Sequence, residues 1–350
     1  MNYLRDIQNL KDVRVLVRVD FNVPVANGII TDDFRIRATI PTINYLQEKG
    51  AKVILISHIE TKDNATLQPV ADYLNKLGIP CVFEKNYKKV LGNEAQVLLL
   101  ENVREFEGEK KKDKKFAQEL ASLADIYVNE AFAVSHREHA SLCAITEFIP
   151  SYAGFLFENE IKHLSTAFNP DHPFLFILCG AKFDTKLPLL EKFVGIADKV
   201  FIGGALANDI FKLKGIDVKK SLVSTEKFDI DGLLDHPKIL LPIDEVWSND
   251  AIMDAGMKTV EMLKGEIQKA KYVLWNGPLG AYESGFKQAT IELAKALADS
   301  KAKTIIGGGD TLATIAELNI EDKFTFVSTG GGAMLEFLAK ETLPAIEALR

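Results

Sequence analysis

The 350 residues are 47% hydrophobic and 26% charged, an ordinary globular balance in a chain too long for one comfortable core, so two domains are the first expectation. A formal net charge of −7 excludes any global attraction to nucleic acid and requires an anionic ligand to be captured by a local cluster of basic side chains. The N-terminus MNYLRDIQNLKDVRV has no apolar leader, and no stretch approaches the roughly eighteen uncharged apolar residues of a membrane helix. A cytoplasmic protein with neither a membrane nor a nucleic-acid partner is therefore expected.

In chain order, the apolar runs VRVLVRV, AKVILIS, QVLLLENV and ADIYVN alternate with helical-period segments such as TLQPVADYLNKLG and KKFAQELASLA, the grammar of a parallel sheet wrapped by helices. The pattern is interrupted at Pro150 and Gly154, ahead of an amphipathic stretch suited to a connecting helix, and a hinge is expected at about 149–168. It then restarts at PFLFILCG and continues through DKVFIGG, KILLPID, KYVLWNG, AKTIIGGG and KFTFVSTGGG. The fold class expected is α/β, two doubly wound, Rossmann-like parallel-sheet domains over residues 1–148 and 149–335, joined by a hinge helix. The charge run EGEKKKDKK at 107–115 reads as a solvated helix start. Cys81, Cys143 and Cys179 are odd in number and lie among apolar neighbours, which suits buried thiols rather than a disulfide or zinc site.

Ligands of open α/β sheets collect at the carboxyl ends of strands. In the second half those ends are glycines: GGGD at 307–310 and GGG at 330–332, each leading into a helical segment. Glycine lets the backbone approach a phosphate while free N–H groups and the helix dipole offset its charge, although a tight turn has the same composition. Asp310 reads either as a helix N-cap or as a magnesium ligand. Lys182 and Lys186, four apart after a strand, have the spacing to face one phosphate chain. The first half carries cations instead: Arg18, Arg35, Arg37, His58, Arg104, His136, Arg137 and His139. In an acidic protein this concentration points to a small, multiply anionic ligand held by guanidinium forks, though each member alone reads as a surface ion pair or a satisfied core histidine. No GxxxxGK[ST] loop, HRD or DFG signature is present, and the lack of a GxGxxG after the first strand counts against a nicotinamide-dependent dehydrogenase.

The ordered segments RVDFNVPV, TDDFRIRATIPTI, LLENVREFEGE, YVNEAFAVSHREHAS, CGAKFDTK, IGGALAN, VLWNGPLGAYE, GGGDT and STGGGAMLEFLAKETLPAIEAL resemble the phosphoglycerate kinase family over almost the whole chain. The resemblance implies reversible phosphoryl transfer from 1,3-bisphosphoglycerate to ADP in glycolysis and gluconeogenesis, by a monomer that closes about its hinge. It implies a 3-phosphoglycerate site at Asp20, Phe21, Asn22, Arg35, His58, Arg104 and Arg137. It implies a nucleotide site at Lys186, Asn276, Pro278, Glu283, Gly308, Gly309, Asp310 and Thr311, with Mg2+ on Asp310 and Glu283 accepting from the ribose hydroxyls. Arg35 and Lys182, with the backbone N–H groups of Gly307 and Gly330, would surround the phosphoryl group in transfer. The segment 336–350 would return to the N-terminal domain. Phosphoryl transfer of this kind asks for positioning and charge neutralisation and no side-chain nucleophile.

The chain departs from the family at several points. SHIETKD stands where the family has SHLGRP, which removes an arginine, with Lys62 as a candidate substitute. Glu130, Ala133 and Val134 replace Asp, Gly and Thr of NDAFGT, and Cys179 and Ala205 replace glycines, the Ala205 methyl lying at the expected adenine slot. The altered loop also motivates an alternative reading, a weakened member with a binding or regulatory role. Loss of one charge-assisted hydrogen bond costs about 1.5–3 kcal/mol. Grafting the arginine-containing loop in place of SHIETKD is therefore expected to lower KM for 3-phosphoglycerate about tenfold or more, measured by steady-state kinetics.

Overall fold

The Val-, Ile- and Leu-rich runs become strands because side chains buried on both faces of a sheet need no polar alternation. The structure, a computed structural model, describes residues 1–60, 65–181, 183–225 and 231–350. Two units result, Met1–Lys162 together with Thr342–Arg350, and His163–Glu341.

In the first unit, β1 (Arg14–Arg18), β2 (Lys52–Ile56), β3 (Cys81–Glu84), β4 (Val97–Leu100), β5 (Ile126–Asn129) and β6 (Ser151–Ala153) form one sheet in the order β3-β4-β2-β1-β5-β6. Every pairing is parallel. Helices Phe34–Glu48 and Gln68–Lys76 contribute Ile36, Ile43, Leu46, Val70 and Leu74 to a core shared with Val15, Val17, Val53 and Leu55. The three- and four-residue steps of those side chains put one face of each helix on the sheet. The chain's last helix, Pro344–Ala348, belongs to this unit, where the Ala345 N–H donates to the Ser135 carbonyl at 3.1 Å.

In the second unit, β7 (Phe174–Leu178), β8 (Lys199–Ile202), β9 (Ile239–Leu240), β10 (Tyr272–Asn276), β11 (Lys303–Gly307) and β12 (Phe326–Val327) pair in parallel in the order β9-β8-β7-β10-β11-β12. The run KILLPID yields only two strand residues, because Pro242 has no N–H for a ladder. In each sheet the winding reverses beside the first strand, between β1 and β5 and between β7 and β10, and a crevice opens there at the carboxyl ends. Among the described residues no helix is long and apolar enough to cross a membrane.

One sequence expectation is corrected here. The run at 107–115 is only partly solvated, since Glu109 is wholly buried and accepts from the Ser141 N–H and hydroxyl at 2.9 and 2.6 Å. Burial opposes its charge, but His139, Arg18 and Ser141 outweigh that and hold the carboxyl below its usual range. The three cysteines are buried, and burial pushes the thiols of Cys81, Cys143 and Cys179 up to about 12, 11 and 12, which makes them inert at neutral pH.

Helix Phe155–Ser165 runs from the first unit into the second, and its N-terminus is tied to a buried carboxylate. Glu130 accepts from the Leu156 and Phe157 N–H groups at 3.0 and 3.1 Å and from the Thr42 hydroxyl. Burial nevertheless raises its pKa from 4.5 to about 7. A carboxyl raised in the fold holds a proton that the unfolded chain has released, so its stabilisation is complete below about pH 4.5 and is lost as pH rises through 7. Wild type should therefore lose on the order of 1–3 kcal/mol more stability than Glu130→Gln between pH 5 and 8, read from urea midpoints.

Candidate active site

At the switch point of the first sheet, cations gather from four strand ends. Arg18 closes β1, His58 follows β2, Arg104 follows β4, and Arg137 lies beyond β5. The fifth member, Arg35, sits in the first turn of helix Phe34–Glu48. His58 is the common centre: burial first, then the charges of Arg18, Arg104, Arg137 and Arg35, push its pKa far below the usual range. Its ring is accordingly neutral, with Nδ1 3.4 Å from Arg18 Nη2 and 3.7 Å from Asp20.

The loop after β1 anchors this cluster. The Phe21 N–H donates to the Ser57 hydroxyl at 2.8 Å, and the Asn22 N–H donates to Asp20 Oδ1 at 3.1 Å. Arg35 Nη1 donates to Asp20 Oδ2 at 3.0 Å and to the Asn22 carbonyl at 3.1 Å. Arg18, fully buried, is a support: Nε donates to the Ser141 hydroxyl at 2.9 Å, which in turn donates to Glu109. The side chain of Arg104 is 4% exposed and ion-paired through Nη1 to Glu60, while its Nε and Nη2 have no hydrogen-bond partner. Two unpaired guanidinium donors under cover are costly unless a ligand meets them.

Not all the cations converge. Arg37 pairs with Asp33 one helical turn away, Nε to Oδ1 2.9 Å, and is not among the charges acting on His58. His139 lies beside the buried Glu109 at 3.6 Å. Sequence reading missed Glu60, Ser57 and Glu109; of these only Glu60 left a trace, as a carboxylate in the altered SHIETKD segment. Lys62 and Lys182 lie outside the described residues.

The second unit gathers glycines. Gly277, after β10, has φ +93, and a Cβ there would run into the Cys179 carbonyl that follows β7. Gly204, after β8, has φ +60, and a Cβ there would sit 2.7 Å from the Gly180 nitrogen. Backbone thus packs on backbone at these strand ends, where side chains would fill the crevice. A cavity of about 560 Å³ opens beside them, lined by Ala205, Phe211, Leu222, Pro278, Glu283 and Asp310 among others. Lys186 Nζ donates to the Cys179 carbonyl at 2.6 Å, and burial lowers its pKa. Asn276, buried, closes β10, and Gly307 closes β11. Gly308 is the N-cap of helix Gly309–Leu318, so Asp310 and Thr311 stand in its first turn rather than at the cap. The Thr311 hydroxyl is buried without a partner. Gly330 donates its N–H to the Ser328 hydroxyl at 3.0 Å, ahead of helix Gly332–Lys340.

The fit to a divalent cation rests on Asp310. Its pKa is raised, by burial first and then by the charge of Glu283, an excess of negative charge that a cation relieves. Among the described residues no group of three or more potential ligands forms a metal cage. One carboxylate completed by phosphate oxygens is the arrangement that suits magnesium.

Two parallel sheets, one presenting guanidinium groups and the other a glycine-built cradle at its strand ends, define a two-unit α/β kinase. The chain belongs to the phosphoglycerate kinase family, whose model, described as phosphoglycerate kinase, matches residues 4–341. The phosphoglycerate kinase of Dictyoglomus turgidum is 41% identical over 99% of this chain and 98% of its own length, and that of Finegoldia magna is 40% identical with the same coverage. Among solved structures, phosphoglycerate kinase from Pyrococcus horikoshii OT3 is 33% identical with a TM-score of 0.88, covering 100% of this chain and 98% of that one. The enzyme from Coxiella burnetii is 34% identical with a TM-score of 0.82, covering 98% and 97%.

The crowded glycine carries a prediction. Gly277→Ala is expected to destabilise the protein by about 2–4 kcal/mol, through positive φ and overpacking on Cys179. Gly265→Ala, in helix Met257–Lys269 with nothing near its Cβ, should instead stabilise by roughly 0.5–1 kcal/mol. Urea melts of the two variants check both.

Proposed function

We propose that the arginine-lined strand ends of the first unit hold 3-phosphoglycerate and that the glycine-built strand ends of the second hold ADP or ATP. The reaction is that of the family, reversible transfer of a phosphoryl group between 1,3-bisphosphoglycerate and ADP. Arg35, His58, Arg104 and Arg137 bind the substrate's phosphate and carboxyl oxygens, and Asp20, Phe21 and Asn22 shape the loop against which it lies. The observation that carries this half is the buried Arg104, with two donors unpaired and three further guanidiniums around one neutral histidine. A ligand with several anionic oxygens is what such a cluster lacks.

On the second unit, Lys186, Asn276, Pro278 and Glu283, with the Gly308–Gly309–Asp310–Thr311 turn, take the nucleotide. The buried, unpartnered Thr311 hydroxyl and the N-terminus of helix Gly309–Leu318 support phosphate binding there. Mg2+ held by Asp310 and the phosphates would supply neutralisation of their charge. In the direction of ATP formation, an oxygen of the terminal phosphate of ADP attacks the acyl phosphorus in line. The phosphorus–oxygen bond to the carboxyl group breaks, and 3-phosphoglycerate leaves as the carboxylate. Arg35, Lys182 and the Gly307 N–H stabilise the equatorial oxygens, as positioned charge rather than covalent partners, whereas the Gly330 N–H is engaged by the Ser328 hydroxyl. Nothing in the comparisons supports a non-catalytic role for this chain.

A coupled assay with 3-phosphoglycerate and MgATP tests the reading. Wild type should turn over, and Lys182→Ala should lower kcat by about 10²–10³-fold with an unchanged thermal midpoint. A wild-type protein without turnover, or a Lys182→Ala variant as fast as wild type, overturns the assignment.

A further inference from the structure

The guanidinium of Arg104 is not idle before a ligand arrives. Glu60 reaches it from the loop after β2 and pairs with Nη1. The two partners differ in their surroundings: the Arg104 side chain is 4% exposed, whereas that of Glu60 is 56% exposed. The backbone of Glu60 is fixed at the cluster, its N–H donating to the Asn22 side-chain carbonyl at 2.9 Å. Asn22 in turn receives Arg35 on its backbone carbonyl. The Glu60 carboxylate therefore stands against one member of the cation cluster that the proposed function assigns to 3-phosphoglycerate, at the fourth position of SHIETKD, where the family motif SHLGRP has glycine.

We infer that Glu60 is an intramolecular stand-in for the substrate, a carboxylate that occupies Arg104 in the free protein and must be displaced when the anionic substrate binds. The inference rests on the assignment of the arginine cluster to 3-phosphoglycerate. Three observations carry it. Only one fork of Arg104 is used, so the pair leaves Nε and Nη2 unpaired, and a ligand oxygen that takes them exchanges a single contact for a better one. The Glu60 side chain is more than half exposed, so it has water to return to once displaced. The cations gathered around His58, namely Arg18, Arg35, Arg104 and Arg137, repel one another without a ligand, and an exposed counter-ion paired with Arg104 lowers that repulsion. Glu60 thus does two opposed things, stabilising the free cluster and competing with its ligand. Ligand affinity falls by the fraction of molecules in which the competitor is seated. The weakened substrate binding expected from SHIETKD therefore has a second source, an added opposing charge as well as a lost arginine.

Glu60→Gln keeps the shape and removes the charge, and its exposure makes misfolding an unimportant outcome. With wild type, Glu60→Gln and Arg104→Gln in the coupled assay, Glu60→Gln should lower KM for 3-phosphoglycerate by about three- to tenfold, with kcat and KM for ATP within about twofold. A merely structural Glu60 would not give that split. In a thermal-shift titration Glu60→Gln should melt no higher than wild type without ligand, yet show a larger rise at a fixed 3-phosphoglycerate concentration. An unchanged or increased KM in Glu60→Gln, beside an increased KM in Arg104→Gln, overturns the stand-in role while leaving the site assignment intact. An Arg104→Gln variant that folds and keeps the wild-type KM overturns the site assignment and this inference with it.

Discussion

The constraint on which the molecule depends is that an acidic chain must hold highly anionic ligands. Net charge offers no help, so attraction has to be local, and the fold concentrates it at the switch point of the first sheet. Burial first, then the charges of four guanidiniums, keep one imidazole there neutral. Three of these like charges are answered individually: Arg35 by Asp20, Arg104 by Glu60, and Arg18 through Ser141 by Glu109. Removal of the Glu109 carboxylate would leave the fully buried Arg18 uncompensated, which costs far more than loss of an exposed pair.

The second unit answers the same demand with backbone. Gly204 and Gly277 allow the loops after β7, β8 and β10 to approach with no side chain between them. Glycine at these positions is thus a packing requirement of the cradle itself. Beside it, burial first and then the charge of Glu283 raise the pKa of Asp310.

Helix Phe155–Ser165 links the units, and its start is defined by the buried Glu130 rather than by a surface cap. A carboxylate under two helix N–H groups is favoured by the dipole and disfavoured by burial. Burial prevails, so proton uptake and folding are coupled at this junction.

The sequence by itself determined the fold class, the alternation of strands and helices, the glycine-rich strand ends and the concentration of arginines in the first half. Each of these is written in residue type and period, and period survives without knowledge of partners. It misjudged what depends on a neighbour distant in the chain. Glu109 reads as part of a solvated charge run, and only the approach of Ser141 and His139, some thirty residues on, makes a buried carboxylate tolerable. Arg37 has the same local credentials as Arg35, yet the helix turns it to Asp33 while Arg35 reaches Asp20. Which arginine serves the cluster, and that Glu60 sits against one of them, are facts of three-dimensional proximity. Charge acts through space over a few ångströms, and that distance was decided by tertiary structure alone.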